Sequence, residues 1–288
     1  MKNLDHIQNF YFIGIGGIGM SALARYLKAK DKFVAGYDKT RSSLIENLKR
    51  EDIEVVFKDD INAIPQQILD NKAGSLIIYT PAIPKNHQQF EYFNTHEFGV
   101  VKRAELLGEI SRKFFTMAIA GTHGKTTTTA ILAHLLKETN AGVTAFLGGI
   151  SEDIQSNLIL KGDEVMVVEA DEFDRSFLKL SPNFAAITSM DADHLDIYGK
   201  KEELAKSFKE FAAKIPQNGK LFFKNGLPLN GIKIGIDDDA DYSAKNIQIE
   251  NGHYLFDLQT PKTILKNLKF NLPGKHNLHN AITALAMA

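Results

Sequence analysis

The chain has 288 residues, 44% hydrophobic and 24% charged, with 34 Lys and Arg against 35 Asp and Glu, the composition of an ordinary globular protein long enough for two domains. A net charge of −1 gives no field to hold nucleic acid or an anionic membrane, so a bound phosphate must be met locally. The absence of cysteine excludes disulfides and thiolate chemistry and agrees with a cytoplasmic location, and without a signal-like N-terminus or an apolar run near the roughly 20 residues that span a bilayer, no membrane insertion is expected.

Short β-rich runs alternate with amphipathic stretches from the start, the pattern of an α/β protein. Residues 10–15 are predicted as a strand, 20–30 as a helix, and 32–38 and 75–80 as further strands of one parallel sheet. A stretch over 102–112 has Ala104, Leu106, Leu107 and Ile110 at helical spacing and precedes a fresh strand at 114–120. The domain boundary is placed there, giving domains 1–105 and 106–288. The second domain repeats the order strand, Gly-rich turn, helix (125–138). Strands follow at 164–170, 184–189 and 220–224, with a helix over 201–215 between the last two. Residues 231–270 read as a small β region, with Asn251-Gly252 as a hairpin turn. The run LPGKHNLHNAITALAMA then enters an Ala-rich helix that stops at Ala288 without a cap, so a truncated second domain is expected.

Two glycine loops carry the chemistry. In GIGGIG, Gly14, Gly16 and Gly19 fit GxGxxG between a strand and a helix. Such glycines let a pyrophosphate approach free N–H groups at the positive end of the helix. Asp38 ends the second strand, where its carboxylate can accept from a ribose hydroxyl. On these residues NAD and another diphosphate remain open, because the loop recognises the pyrophosphate and not the group beyond it.

The second loop, AIAGTHGKTTTTA, supplies Gly121, Thr122, His123, Gly124, Lys125, Thr126 and Thr127. A P-loop needs a backbone nest for phosphates, a lysine on the β/γ oxygens and a hydroxyl on Mg2+. The strict pattern would place glycine where this chain has Ile119, so the match is to a shortened variant. Glu169 and Asp171 end the strand-like run EVMVVEAD, where a carboxylate can complete a Mg2+ site, and Asp191, Asp193, His194 and Asp196 follow another strand. A histidine suits Mn2+ better than hard Mg2+.

GTHGKTTTT (121–129), VEADEFDRSFLKLSP (168–182), ITSMDADHLDIYG (187–199) and GKHNLHNA (274–281), with FIGIGGIGMSALA (12–24) before them, resemble the Mur ligase family in order and spacing over nearly the whole chain. Within it, His123 resembles the branch that joins L-alanine to UDP-N-acetylmuramate and the murein-peptide recycling branch, as against the later Mur ligases, and the runs DRSFLKLSP and MDADHLDIYG resemble the first of these two more than the second. The resemblance implies an N-terminal Rossmann-like parallel-sheet domain for the UDP-sugar, a P-loop-type α/β ATPase domain, and a C-terminal domain of the same enzyme that this chain lacks, so the chain alone is not expected to ligate. It implies ATP with Mg2+ (or Mn2+), and UDP-N-acetylmuramate and L-alanine as substrates, with no nucleic-acid partner. The diphosphate, not NAD, would lie on Gly16, Gly17, Ile18, Gly19, Met20 and Ser21, near Asp38, with Thr80 and Ala82 of TPAIP on the substrate side. Lys125, Glu169 and His194 would be catalytic, Thr126, Glu169 and His194 would hold metal, and His276 and Asn277 would approach adenine. The implied activity is ATP-dependent carbon–nitrogen ligation through an acyl phosphate, in peptidoglycan precursor synthesis. A NAD-dependent oxidoreductase is the competing reading, and it leaves GTHGKT unexplained.

Overall fold

The computed structural model describes residues 4–84, 86–151, 154–191 and 201–288. The chain forms two compact units, Met1–Ile110 with Gly148–Leu158, and Ser111–Leu147 with Ile159–Ala288.

Unit 1 is built on five parallel strands, β1 (Asn9–Ile13), β2 (Phe33–Tyr37), β3 (Glu54–Val56), β4 (Ser75–Tyr79) and β5 (Gly99–Lys102), in the order β3-β2-β1-β4-β5. Helices α1 (Ile18–Lys28), α2 (Ser43–Arg50), α3 (Gln66–Asp70), α4 (Gln88–Thr95) and α5 (Arg103–Ser111) fall between and after the strands. The central strand β1, NFYFI, is buried at every position, which explains its unbroken apolar run: helices cover both faces of a parallel sheet, so no polar alternation survives. The order reverses between β1 and β4, and open α/β sheets bind ligands at the carboxyl ends of strands flanking such a reversal.

In the second half, β6 (Phe115–Ala120) leads into α6 (Lys125–Glu138). Then come β7 (Val143–Ser151), β8 (Ser156–Leu160), β9 (Val165–Glu169), β10 (Phe184–Ile187), α7 (Lys201–Ala212), β11 (Lys220–Lys224), β12 (Ile232–Ile236), β13 (Tyr242–Glu250), β14 (His253–Gln259), β15 (Ile264–Phe270) and α8 (Lys275–Met287). The sheet order is β15-β14-β13-β12-β11-β10-β6-β9-β7-β8. β6 therefore lies between β9 and β10, parallel to both, and the carboxyl ends of these three strands carry the loops from Gly121, Ala170 and Thr188.

The β region over 231–270 continues the sheet of the second half. β12 and β13 extend the sheet in parallel from β11, and only β14 and β15 turn antiparallel. Asn251 and Gly252 both have positive φ, 50° and 80°, as a type I′ hairpin turn requires. β14 and β15 shift register between Phe256 and Leu258, and Asn267 on β15 adopts φ 57°.

Candidate nucleotide and phosphate sites

In unit 1 the carboxyl ends of β1, β2 and β4 bring the first glycine loop together with Asp38 and Thr80. Gly14 (φ 88°) packs against Thr80, whose Cγ2 would lie 3.0 Å from any added Cβ. The amides of Gly14 and Ile15 donate to Tyr37 O at 2.7 and 3.0 Å, so the loop is tied to β2 by its own backbone. Asp38 accepts from Gly16 N at 2.8 Å and from Thr40 N at 2.9 Å, so both its oxygens already brace the turn and a ligand hydroxyl would share them. α1 starts at Ile18 without a side-chain cap, which leaves the first-turn amides of Ile18, Gly19 and Met20 without intrahelical acceptors. A Cβ on Gly19 would stand 2.7 Å from Nη1 of Arg103, so a guanidinium flanks the helix start. Arg103 carried no signal in the sequence beyond its charge. Met20 and Ser21 are buried, and Ala82 is exposed on the turn after β4.

In unit 2 the second loop joins β6 to α6 through Gly121 (φ 133°) and Gly124 (φ 82°). A Cβ at Gly121 would overlap Thr188 Oγ1, and one at Gly124 would overlap Asn280 Oδ1, so both turns need glycine for space as well as for φ. The end of β10 pins the loop from beneath. His123 N donates to Ser189 Oγ at 2.8 Å, and Thr122 Oγ1 accepts from Asp191 N at 3.1 Å while lying 2.8 Å from Ser189 Oγ. Thr122 is thus a buried brace of the loop, whereas the His123 ring is exposed, 3.9 Å from Asp191.

Two side-chain pairs fill the loop. Lys125 Nζ donates to Gly121 O at 2.7 Å and meets both carboxylate oxygens of Glu172, at 3.0 and 2.8 Å. Glu172 is fully buried, held beside the 3-10 turn Phe173–Lys179 whose Phe177 stacks on Phe211 at 5.0 Å. Thr126 Oγ1 lies 3.0 and 3.1 Å from the two oxygens of Glu169 at the end of β9. Burial pushes the Glu169 carboxyl above the usual range, against the opposing pull of the Thr126 hydroxyl and the Lys125 charge.

Hydroxyl and carboxylate oxygens side by side, the carboxylate desolvated, suit a hard divalent cation that would hold Glu169 ionised. Among the described residues no group of three His, Asp or Glu side chains converges on such a point. His194, Asp193 and Asp196 lie outside the described residues.

Beyond the loop opens a cavity of about 720 Å3 whose lining includes Gly124, Thr127, Asn225, Gly235, His276 and Asn280. His276 and Asn277 both line it, in the first turn of α8. Asn277 Nδ2 donates to Pro273 O at 2.7 Å, and His276 is exposed beside Gly274. Asn225 Nδ2 donates to Asp238 at 3.0 Å, and Asp238 also accepts from Ala240 N and Ser243 Oγ. Although burial raises the carboxyl of Asp238, these bonds together hold it below its ordinary range.

Glu172, Asn280, Asn225 and Asp238 escaped the sequence reading. A signal for Asn280 was present: HNLHN places Asn277 and Asn280 three apart, hence on one helix face.

His279, behind the cavity, has Nε2 3.2 Å from Ile234 O. Burial lowers its basicity, as does Lys224, while the Ile234 carbonyl and Asp238 oppose the shift. With the folded value below the unfolded one near about 6.5, the unfolded chain binds more protons in acid, so stability is complete above that value and falls as pH drops below it. Urea unfolding should therefore show unit 2 losing stability from pH 7.5 to 5.5, and His279→Gln should flatten that slope. An unchanged slope in the variant would refute the assignment.

A Gly-rich loop joining strand to helix, beside a paired hydroxyl and carboxylate and opening on a cavity, has the arrangement of a P-loop in an α/β protein. Residues 119–288 match the Mur ligase middle domain, and residues 9–115 match the domain described as Mur ligase family, catalytic domain. The chain belongs to the Mur ligase family. It is 70% identical over 288 residues to the UDP-N-acetylmuramate–L-alanine ligase of Christiangramia forsetii, and 58% identical over 286 residues to that of Flavobacterium psychrophilum, covering 100% and 99% of this chain. It spans 64% and 63% of those relatives' lengths. Among solved structures, the UDP-N-acetylmuramate–alanine ligase of Thermotoga maritima superposes with a TM-score of 0.81 at 25% identity, over 97% of this chain and 64% of that one. A murein-peptide ligase of Neisseria meningitides shares the fold, with a TM-score of 0.84 at 21% identity, over 97% and 92% of the two chains. No described helix is long and apolar enough to cross a membrane.

Proposed function

We propose that this chain is the UDP-sugar-binding and ATP-binding portion of a cytoplasmic ligase that joins L-alanine to the lactyl carboxylate of UDP-N-acetylmuramate, in peptidoglycan precursor synthesis. The observation that carries the reading is the P-loop whose Lys125 and Thr126 face Glu172 and Glu169. The names of the relatives that match along the whole chain support the choice of substrates.

A carboxylate is a poor acyl donor. It becomes a good one when its oxygen takes the γ-phosphoryl group of ATP; the alanine amine then adds to the acyl carbon, and phosphate leaves as the amide forms. The protein's part is positioning and charge. Gly121 to Thr127 cradle the triphosphate by backbone N–H, and Lys125 neutralises charge on the transferring phosphoryl group. Thr126 and Glu169 would hold Mg2+, which would supply positive charge to screen the phosphates, with His194 a third ligand by family resemblance. His276, Asn277 and Asn280 face the cavity that fits adenine. The first glycine loop would hold the UDP diphosphate, with the positive charge of Arg103 beside Gly19.

Calorimetry tests this with UDP-N-acetylmuramate and NADH titrated separately into the chain. UDP-N-acetylmuramate is expected to bind and NADH to give no heat. Tight NADH binding without UDP-sugar binding would overturn the proposal.

A further inference from the structure

Within unit 1 the segment Gly148–Leu158 contributes a fully buried polar side chain, Asn157. All three of its bonds go to α1. Nδ2 donates to Ile18 O at 2.6 Å and to Ser21 Oγ at 2.9 Å, and Oδ1 accepts from Arg25 Nη1 at 2.5 Å. Ser21 Oγ in turn lies 3.0 Å from both Gly17 O and Ile18 O. Arg25, 7% exposed, is gripped on its other side by Glu51, with Nε 2.8 Å from one carboxylate oxygen and 3.0 Å from the other.

These bonds converge on the turn that opens α1, directly behind the glycine loop. Tyr37 O and Asp38 tie the glycine loop in front of that turn, but Gly17 gives the turn no side-chain cap, so those bonds stop short of setting the direction of its first-turn amides. Asn157 fixes it from behind, through Ile18 O and the Ser21 hydroxyl. A single amide both donates to the turn and anchors the arginine one turn further on, so rotation of the helix start would break bonds at both ends. Because the group is buried, water cannot replace the lost partners.

We propose that Asn157 is a positioning residue for the diphosphate site at Gly16 to Gly19: it acts on the ligand through the first turn of α1 and touches no ligand atom itself. This rests on the reading that unit 1 binds a UDP-sugar.

The test titrates UDP into the wild-type chain, Asn157→Ala and Asn157→Asp, with MgATP as a control on the same preparations and uridine binding followed by saturation-transfer NMR. Asn157→Ala is expected to weaken UDP about tenfold, the scale of one unsatisfied buried hydrogen bond. Asn157→Asp keeps the acceptor for Arg25 but loses both donors to the turn, so it should weaken UDP comparably, and it serves if the alanine variant fails to fold. MgATP affinity should stay unchanged, and uridine, which has no diphosphate, should bind alike in all three. Wild-type UDP affinity in both variants overturns the proposal. So does equal weakening of UDP and uridine, which would mean general loosening of unit 1. A wild-type chain that binds uridine but not UDP or UDP-N-acetylmuramate would instead overturn the underlying diphosphate reading, and this proposal with it.

Discussion

Replacing Lys125 by alanine should lower ATP turnover in the full-length ligase by about 100- to 1000-fold, the scale of removing one preorganised group from developing charge, roughly 2.7 to 4 kcal/mol. The reason lies in how the lysine is already held. Its ammonium is fixed between Gly121 O and the buried Glu172, with the side chain only 14% exposed. It therefore needs little reorganisation to meet a phosphoryl group. Lys125→Arg should rescue poorly, because the broader guanidinium does not fit where one ammonium bonds a carbonyl and a carboxylate at once. UDP-N-acetylmuramate affinity should be unaffected, since the first glycine loop lies in unit 1. Steady-state ADP release with all substrates, alongside calorimetry of the UDP-sugar, makes the check. Turnover within a few-fold of wild type would remove Lys125 from the reaction.

Glu172→Ala should cost unit 2 about 3 kcal/mol, the low end of the range for removing one partner of a buried ion pair, because Lys125 retains some solvent access. Glu172→Gln should cost less, since an amide oxygen still accepts from the ammonium. Urea unfolding of the chain, followed by a probe in unit 2, measures both. Saturating MgATP should return part of the loss in the alanine variant, because the phosphates offer the stranded ammonium a new partner. Equal stability of Glu172→Ala and wild type would show that the pair contributes nothing to the fold.

The parts of this molecule legible in its sequence are those whose chemistry is local. GIGGIG and GTHGKT each encode a turn and a helix start within a few residues, and the folded chain keeps each between a strand and a helix. Glu169 was legible because it ends a clear strand. Glu172 was not: in ADEFDR it reads as one solvated acid among several, and only the fold-back of Lys125, 47 residues away, marks it. Asn157 was harder still. It sits in a five-residue strand that no periodicity announced, and the arginine it holds is 132 residues earlier. No single cut in the sequence could assign the segment Gly148–Leu158 to unit 1. The β region over 231–270 was legible from its short strands and the Asn251-Gly252 turn, whereas its parallel pairing from β11 through β13 was not, because strand order in a sheet leaves no local pattern.

The last strand bears on whether the sheets of two molecules can join edge to edge. β15 ends a ten-stranded sheet and shows Ile264 and Leu265 to solvent, a combination that invites pairing with a strand from another molecule. Asn267 interrupts that invitation: its left-handed backbone, opposite the register shift in β14, breaks the run of evenly spaced amides and carbonyls a foreign strand would need. Lys266 and Lys269 flank it, so two such edges brought together would also oppose like charges. The irregularity in β15 thus acts as a guard against intermolecular sheet growth, separate from anything the nucleotide sites require.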